Sequence, residues 1–127
     1  MGRVLKKGEG WRIGWNPDPT CPYQGLVGAD DWAVELTAAE FADFCRLLTQ
    51  LAETVKAIAT ELMEEEKIAV EAESDLIWLE IEGFASSYSL RVLVLQNRNA
   101  EGNWSTSTVP ALVDLAQIFH KTQELPL

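Results

Sequence analysis

The segment that begins at Thr37 returns 71 positions later at Thr108, and this echo constrains the architecture more than any other feature of the chain. Thr37, Phe41, Asp43, Phe44, Leu47 and Leu48 line up with Thr108, Leu112, Asp114, Leu115, Ile118 and Phe119. Each copy follows an extended stretch carrying a tryptophan, Trp32 in one case and Trp104 in the other. The chain therefore reads as two units, each of strands followed by a helix.

Within the first unit, Trp11, Ile13 and Trp15 alternate with Arg12 and Gly14, until Asn16-Pro17-Asp18-Pro19 breaks the run. That is the pattern of a short strand entering a loop. Residues 23–28 and Trp32-Ala33-Val34-Glu35-Leu36 give two more strands, separated by the turn-forming Ala29-Asp30-Asp31. Thr37 with Glu40 three residues on is a capping box, and Leu36 and Phe41 are placed as a hydrophobic staple.

The helix that follows carries apolar residues at Phe41, Phe44, Leu48, Leu51, Val55, Ile58 and Leu62, a regular 3-4 spacing. Ending it near Met63 keeps Glu64, Glu65 and Glu66 in a turn, away from the helix C-terminus, where negative charge is disfavoured. Such a helix is ~39 Å long, against roughly 36 Å for a sphere of the size expected for this chain. It reaches the edge of the domain, so Leu48, Leu51, Val55, Ile58 and Leu62 form a candidate seam for a second chain.

In the second unit the period switches to two from Lys67 to Glu73. Strands at 76–82, 88–96 and 103–107 follow, linked by a loop at 83–87 and a polar loop at 97–102. Pro110 sits in the tolerated first turn of a closing helix, whose buried face is Leu112, Leu115, Ile118 and Phe119. Strand order is βββ(β)α followed by ββββα, an α+β antiparallel layout in one domain spanning residues 1–127. Residues 1–9 read as a flexible basic tail, 10–63 as the first unit and 64–127 as the second.

Chemistry is scarce. His120 is the only histidine, which excludes paired-imidazole designs within one chain, and its place near a helix end gives it a structural reading. Cys21 and Cys45 are 24 apart and match no metal spacing or disulfide framework, so both are expected as free thiols. No phosphate-binding or dinucleotide fingerprint is present. The carboxylates Asp30-Asp31, Glu64 to Glu66, Glu71 with Glu73, and Glu80 with Glu82 could hold a hard cation or act as acid and base, although alternating acids are commonly a solvated face. No apolar run approaches the ~18 residues of a membrane span, and the start of the chain turns polar too soon for a signal peptide. A cytoplasmic protein with no cofactor, no metal and no membrane partner is expected.

The formal net charge is -10. Residues 1–28 carry four basic and two acidic side chains, while the remainder carries six basic and eighteen acidic. That field repels phosphate backbones. Trp11, Trp15, Trp32, Trp78 and Trp104 all fall on predicted strands, where rings either pack a core or stack a ligand.

Residues 10–17, 23–41, 71–75 and 102–104 together resemble a family of small cyanobacterial proteins catalogued as domain of unknown function 1818. The likeness covers nearly the whole chain. It implies the helix-swapped β4α arrangement of the whirly, PUR-alpha and positive-cofactor-four group of single-stranded DNA-binding regulators, and a tendency to dimerise. The family has no assigned activity, and no functional residue is carried over. The whirly lysine-rich strand motif is absent, with Lys6-Lys7-Gly8 a faint stand-in.

The leading expectation is a non-catalytic homodimer presenting an acidic sheet or helix surface to a protein partner. The alternative is a single-stranded nucleic-acid binder using Trp11, Trp15 and Arg12 beside Lys6 and Lys7. A carboxylate-dependent enzyme is a remote third reading.

Overall fold

The computed structural model describes residues 2–63 and 65–127. Two four-stranded antiparallel sheets, each followed by a helix, form an α+β fold in the order expected. The first sheet has β1 (Val4–Gly8), β2 (Trp11–Trp15), β3 (Gly25–Gly28) and β4 (Ala33–Leu36), and leads into α1 (Ala38–Ile58). The second has β5 (Ile68–Glu73), β6 (Ile77–Phe84), β7 (Ser87–Val94) and β8 (Ala100–Trp104), and leads into α2 (Val109–Thr122). Strands pair in chain order within each sheet.

Registers settle which side chains share a face. In the first sheet Trp15, Gly25 and Leu36 lie in one row and Ile13, Val27 and Val34 in the next, facing the helices. Gly25 is required here, because a Cβ would stand 2.6 Å from the Phe41 ring. In the second sheet Val70, Ile81, Leu90 and Trp104 form one inner row, and Ala72, Leu79 and Val92 another.

The helices do not simply cover their own sheets. Besides β3 and β4, α1 lies against β5 and β6. From α2, Phe119 meets Trp15 of the first sheet edge-on at 4.7 Å and Phe41 of α1 at 4.7 Å, while Trp15 stacks on Phe41 at 5.4 Å. The two units therefore share one core. Burying three such rings contributes on the order of several kcal/mol.

Both echoed threonines mark a helix start, but only one works as a cap. The Thr37 hydroxyl accepts from the Glu40 amide at 3.1 Å, and the Glu40 carboxylate accepts from the Thr37 amide at 2.8 Å, as the capping box predicts. Thr108 makes no such bond; its hydroxyl donates to the Ser105 carbonyl at 2.9 Å, and Pro110 is seated in the first turn. Glu40 also takes a 2.6 Å bond from the Arg98 guanidinium, which donates as well to the Glu35 carbonyl.

Several expected boundaries move. Residues 4–8 are not a tail: they form edge strand β1, paired throughout with β2, and lysines suit an edge position because they discourage further pairing. The first helix ends at Ile58, about a turn early, followed by a 3-10 turn at Ala59–Glu61 and an extended Leu62. Its last fully buried residue is Val55, so further turns would have little to pack against. Helix length is thus ~32 Å, and the expected overhang disappears. The expected loop at 83–87 shrinks to a turn at 85–86, and β8 starts at Ala100 because Gln96, Asn97 and Asn99 adopt positive φ and reverse the chain sharply. Trp32 precedes β4 rather than belonging to it. The turn assigned to Glu64 lies outside the described residues.

Both cysteines are free. Cys45 is buried in the core, and burial pushes its thiol far above the ordinary range, whereas Cys21 is half-buried and donates to the Tyr23 carbonyl. One thiol per chain should react with a disulfide reagent in the native state and two in denaturant. In urea denaturation, Thr37→Ala should cost about 1 kcal/mol through loss of the cap. Arg98→Met should cost more, roughly 3 kcal/mol, because it strands the Glu40 carboxylate in a buried position.

Candidate functional site

The outer face of the second sheet gathers most of the unpaired acidity of the strands. Alternation sends Glu71 and Glu73 of β5, Glu80 and Glu82 of β6, and Glu101 of β8 to the side away from the helices. Trp78 and Leu93 stand side by side in the same layer. Glu71 lies directly opposite Glu80, a cross-strand like-charge pair that weakens a sheet. One cation, Arg91, is found among them; it pairs with Glu101 at 3.1 Å and lies 5.6 Å from the Trp78 ring centre. Both members of that pair are at least half exposed, so the bridge adds little to stability.

This face runs into an open cleft of about 730 Å³ where the two halves meet. Its walls are the Ala29–Trp32 turn from the first half and Glu101 to Ser105 from the second. Arg12 builds the turn: Nε donates to the Ala29 carbonyl at 2.8 Å and Nη2 to the Trp32 carbonyl at 2.9 Å. Asp30 accepts from the Gly10 amide at 3.0 Å, which fixes one carboxylate at the rim. The Trp32 ring lies over Gly102, where any Cβ would collide with it, and sits 4.9 Å from Trp104. Trp104 in turn donates from its indole to the Gly28 carbonyl at 2.8 Å. Asp30, Asp31 and Glu101 around an indole wall make a setting suited to a cation.

The residues expected to bind nucleic acid are not brought to one surface. Register sets Lys6 beside Ile13 and Lys7 beside Arg12, on opposite faces of the first sheet. Trp15 is engaged with Phe41 and Phe119, Trp11 is half-buried against Gly8, and Arg12 is engaged with two carbonyls. In the candidate partner seam, Leu48, Leu51 and Val55 are buried within the chain's own core. Ile58 and Leu62 are half-buried, and Leu62 lines an open groove of about 760 Å³ with Met63 and Phe84.

Among the described residues no three histidine, cysteine or acidic side chains are grouped to hold a metal ion. No described helix is long and apolar enough to cross a membrane. Glu64 lies outside the described residues. The sequence reading paired Glu71 with Glu73 and Glu80 with Glu82, but not the two pairs with each other or with Trp78, because that depends on register. It also missed the contact of Trp32 with Gly102, although both lie in the segments that carried the family likeness.

The chain matches the family described as a domain of unknown function, DUF1818, over residues 6–119, and belongs to it. It is also similar to a crystal structure from Prochlorococcus sp. NATL2A, described as a protein with unknown function from the DUF155 family. The two are 26% identical, the match covers 92% of this chain and 98% of the other, and the TM-score is 0.84. No curated protein matches the chain.

Gly102→Ala should displace the Trp32 ring. The expected result is a loss of about 1–3 kcal/mol in stability, with a changed near-ultraviolet circular dichroism signal from the Trp32 and Trp104 pair. An unchanged signal contradicts the geometry of the cleft.

Proposed function

We propose that this member of the DUF1818 family is a non-catalytic, dimeric, cytoplasmic interaction module that presents the outer face of its second sheet to a basic segment of a protein partner. The observation that carries this reading is the concentration of five glutamates around Trp78 and Leu93, with Arg91 the one cation among them. A surface built only for solubility gains nothing from opposing Glu71 and Glu80 directly, whereas an incoming cation between them turns repulsion into attraction. The adjoining cleft supplies an anchor position, with Asp30 and Asp31 for the charge and Trp32 for the alkyl stem of a lysine or arginine.

A second reading, binding of single-stranded nucleic acid, draws on the way α1 and α2 cross between two four-stranded units, which is in keeping with a whirly-like layout. Against it stand the charge of the second sheet and the engagement of Arg12 with backbone carbonyls. A likeness of fold is in any case a weak warrant for activity.

Titration with a peptide of alternating lysine and valine, and separately with an oligothymidylate, over a range of salt separates the two. The protein-partner reading expects peptide binding that weakens with salt and falls about tenfold in the Glu71→Lys, Glu80→Lys double variant. Oligonucleotide affinity that falls steeply with salt, with no peptide binding, overturns it in favour of the second reading.

A further inference from the structure

Each sheet ends in a strand whose outer side has no paired neighbour, and the two ends carry opposite charge. β1 closes the first sheet and β5 the second. On β1, the register with β2 puts Leu5 and Lys7 on the outer face, and Arg3 follows in the same alternation just before the strand. On β5, the register with β6 puts Ala69, Glu71 and Glu73 on the outer face.

We propose that β1 of one copy pairs with β5 of a second copy, joining the first sheet of one to the second sheet of the other. This rests on the dimer part of the proposed function and names the surfaces that form it.

Three observations converge on this assignment. The first is charge: an antiparallel register with Lys7 beside Glu71 brings a cation to the edge side of a glutamate that already faces Glu80 within its own sheet. The second is the apolar layer. Ile68, Val70 and Ala72 on the inner face of β5 are each only half-buried, and the same register sets Gly8 beside Val70 and Lys6 beside Ala72, so pairing covers the open edge of that layer. The third is Leu5, a large apolar side chain 51% exposed on the outer face of β1, which the same register sets beside Glu73 and on the Trp78 side of the sheet.

Lys6, on the inner face, stands beside Ala72 in this register, where its stem can cover the small side chain while the amine reaches outward to water. Both strands are short and charged, which discourages indiscriminate edge pairing and leaves a partner with complementary alternation as the one that fits. Each copy offers one β1 and one β5, so two reciprocal contacts close a dimer in which both of these strands are paired, while β4 and β8 remain the outer edges.

The test is sedimentation of the full chain at low and high salt, with Lys7→Glu, Glu71→Lys, the two together, and an equimolar mixture of the single variants. Folding of each is checked by far-ultraviolet circular dichroism. The expected result is a dimer weakened by salt, at least about tenfold weaker association for either single variant, recovery in the double variant, and heterodimer formation in the mixture. A wild-type chain that stays monomeric at 100-fold dilution steps up to roughly 100 μM, or single variants that associate as well as wild type, overturns the proposal. Peptide titration of Lys7→Glu keeps the two readings separate, because that substitution lies on the other sheet: retained peptide binding with unaltered dimerisation sinks this inference alone.

Discussion

The carboxylate of Glu40 sits almost wholly buried where the first helix starts, and the arrangement of both halves depends on what surrounds it. It completes the cap of α1 through the Thr37 amide and receives the Arg98 guanidinium from the turn between β7 and β8. Arg98 also reaches the Glu35 carbonyl and lies over the Tyr23 ring at 4.9 Å. A single buried charge therefore joins a local helix signal to a contact 58 residues away in sequence. Buried ion pairs are weak evidence for net stability, but they penalise any packing that separates the partners. Here the effect is to fix how the second half seats on the first.

With that seat fixed, the helices can serve both sheets. Phe119 reaches Trp15 and Phe41, and α1 lies along β5 and β6, so neither unit has a complete core without the other. The echo between Thr37 and Thr108 marks two units that share one hydrophobic core and not two modules on a string. The halves have also diverged in surface character. The second sheet turns a run of glutamates outward, while the first turns out Leu5, Lys7 and a glycine-rich middle. Asymmetry of charge on a symmetric frame gives the molecule two unlike faces, which is what directional recognition requires.

Much of the frame was legible because it rests on local rules. The capping box at Thr37 and Glu40, the staple of Leu36 and Phe41, and the period-two stretch from Ile68 to Glu73 each depend on residues a few positions apart. What escaped depends on contacts distant in sequence. β1 was obscured because Lys6 and Lys7 lower its strand propensity, and pairing with β2 outweighs that preference. The helix end shifted because core contact stops at Val55, although the apolar spacing itself runs on to Leu62. β8 was obscured because Glu101 and Asn103 give the segment a polar composition, while Ala100, Gly102 and Trp104 alternate inward.

The site shows the same division more sharply. Glu71, Glu73, Glu80 and Glu82 were visible as acids, and Trp78 as an aromatic, yet their meeting on one face is a property of the β5–β6–β7 register. A shift of one residue in that register would send Trp78 to the core side and Leu79 outward, separating the ring from the acids. The hydrophobic inner rows exclude the shift, because Ile77, Leu79 and Ile81 are fully buried and would all be exposed by it. Core packing, chosen for stability, thereby sets the pattern of charge on the opposite side of the sheet. The acidic face is as well determined as the core behind it, although none of its side chains takes part in that core.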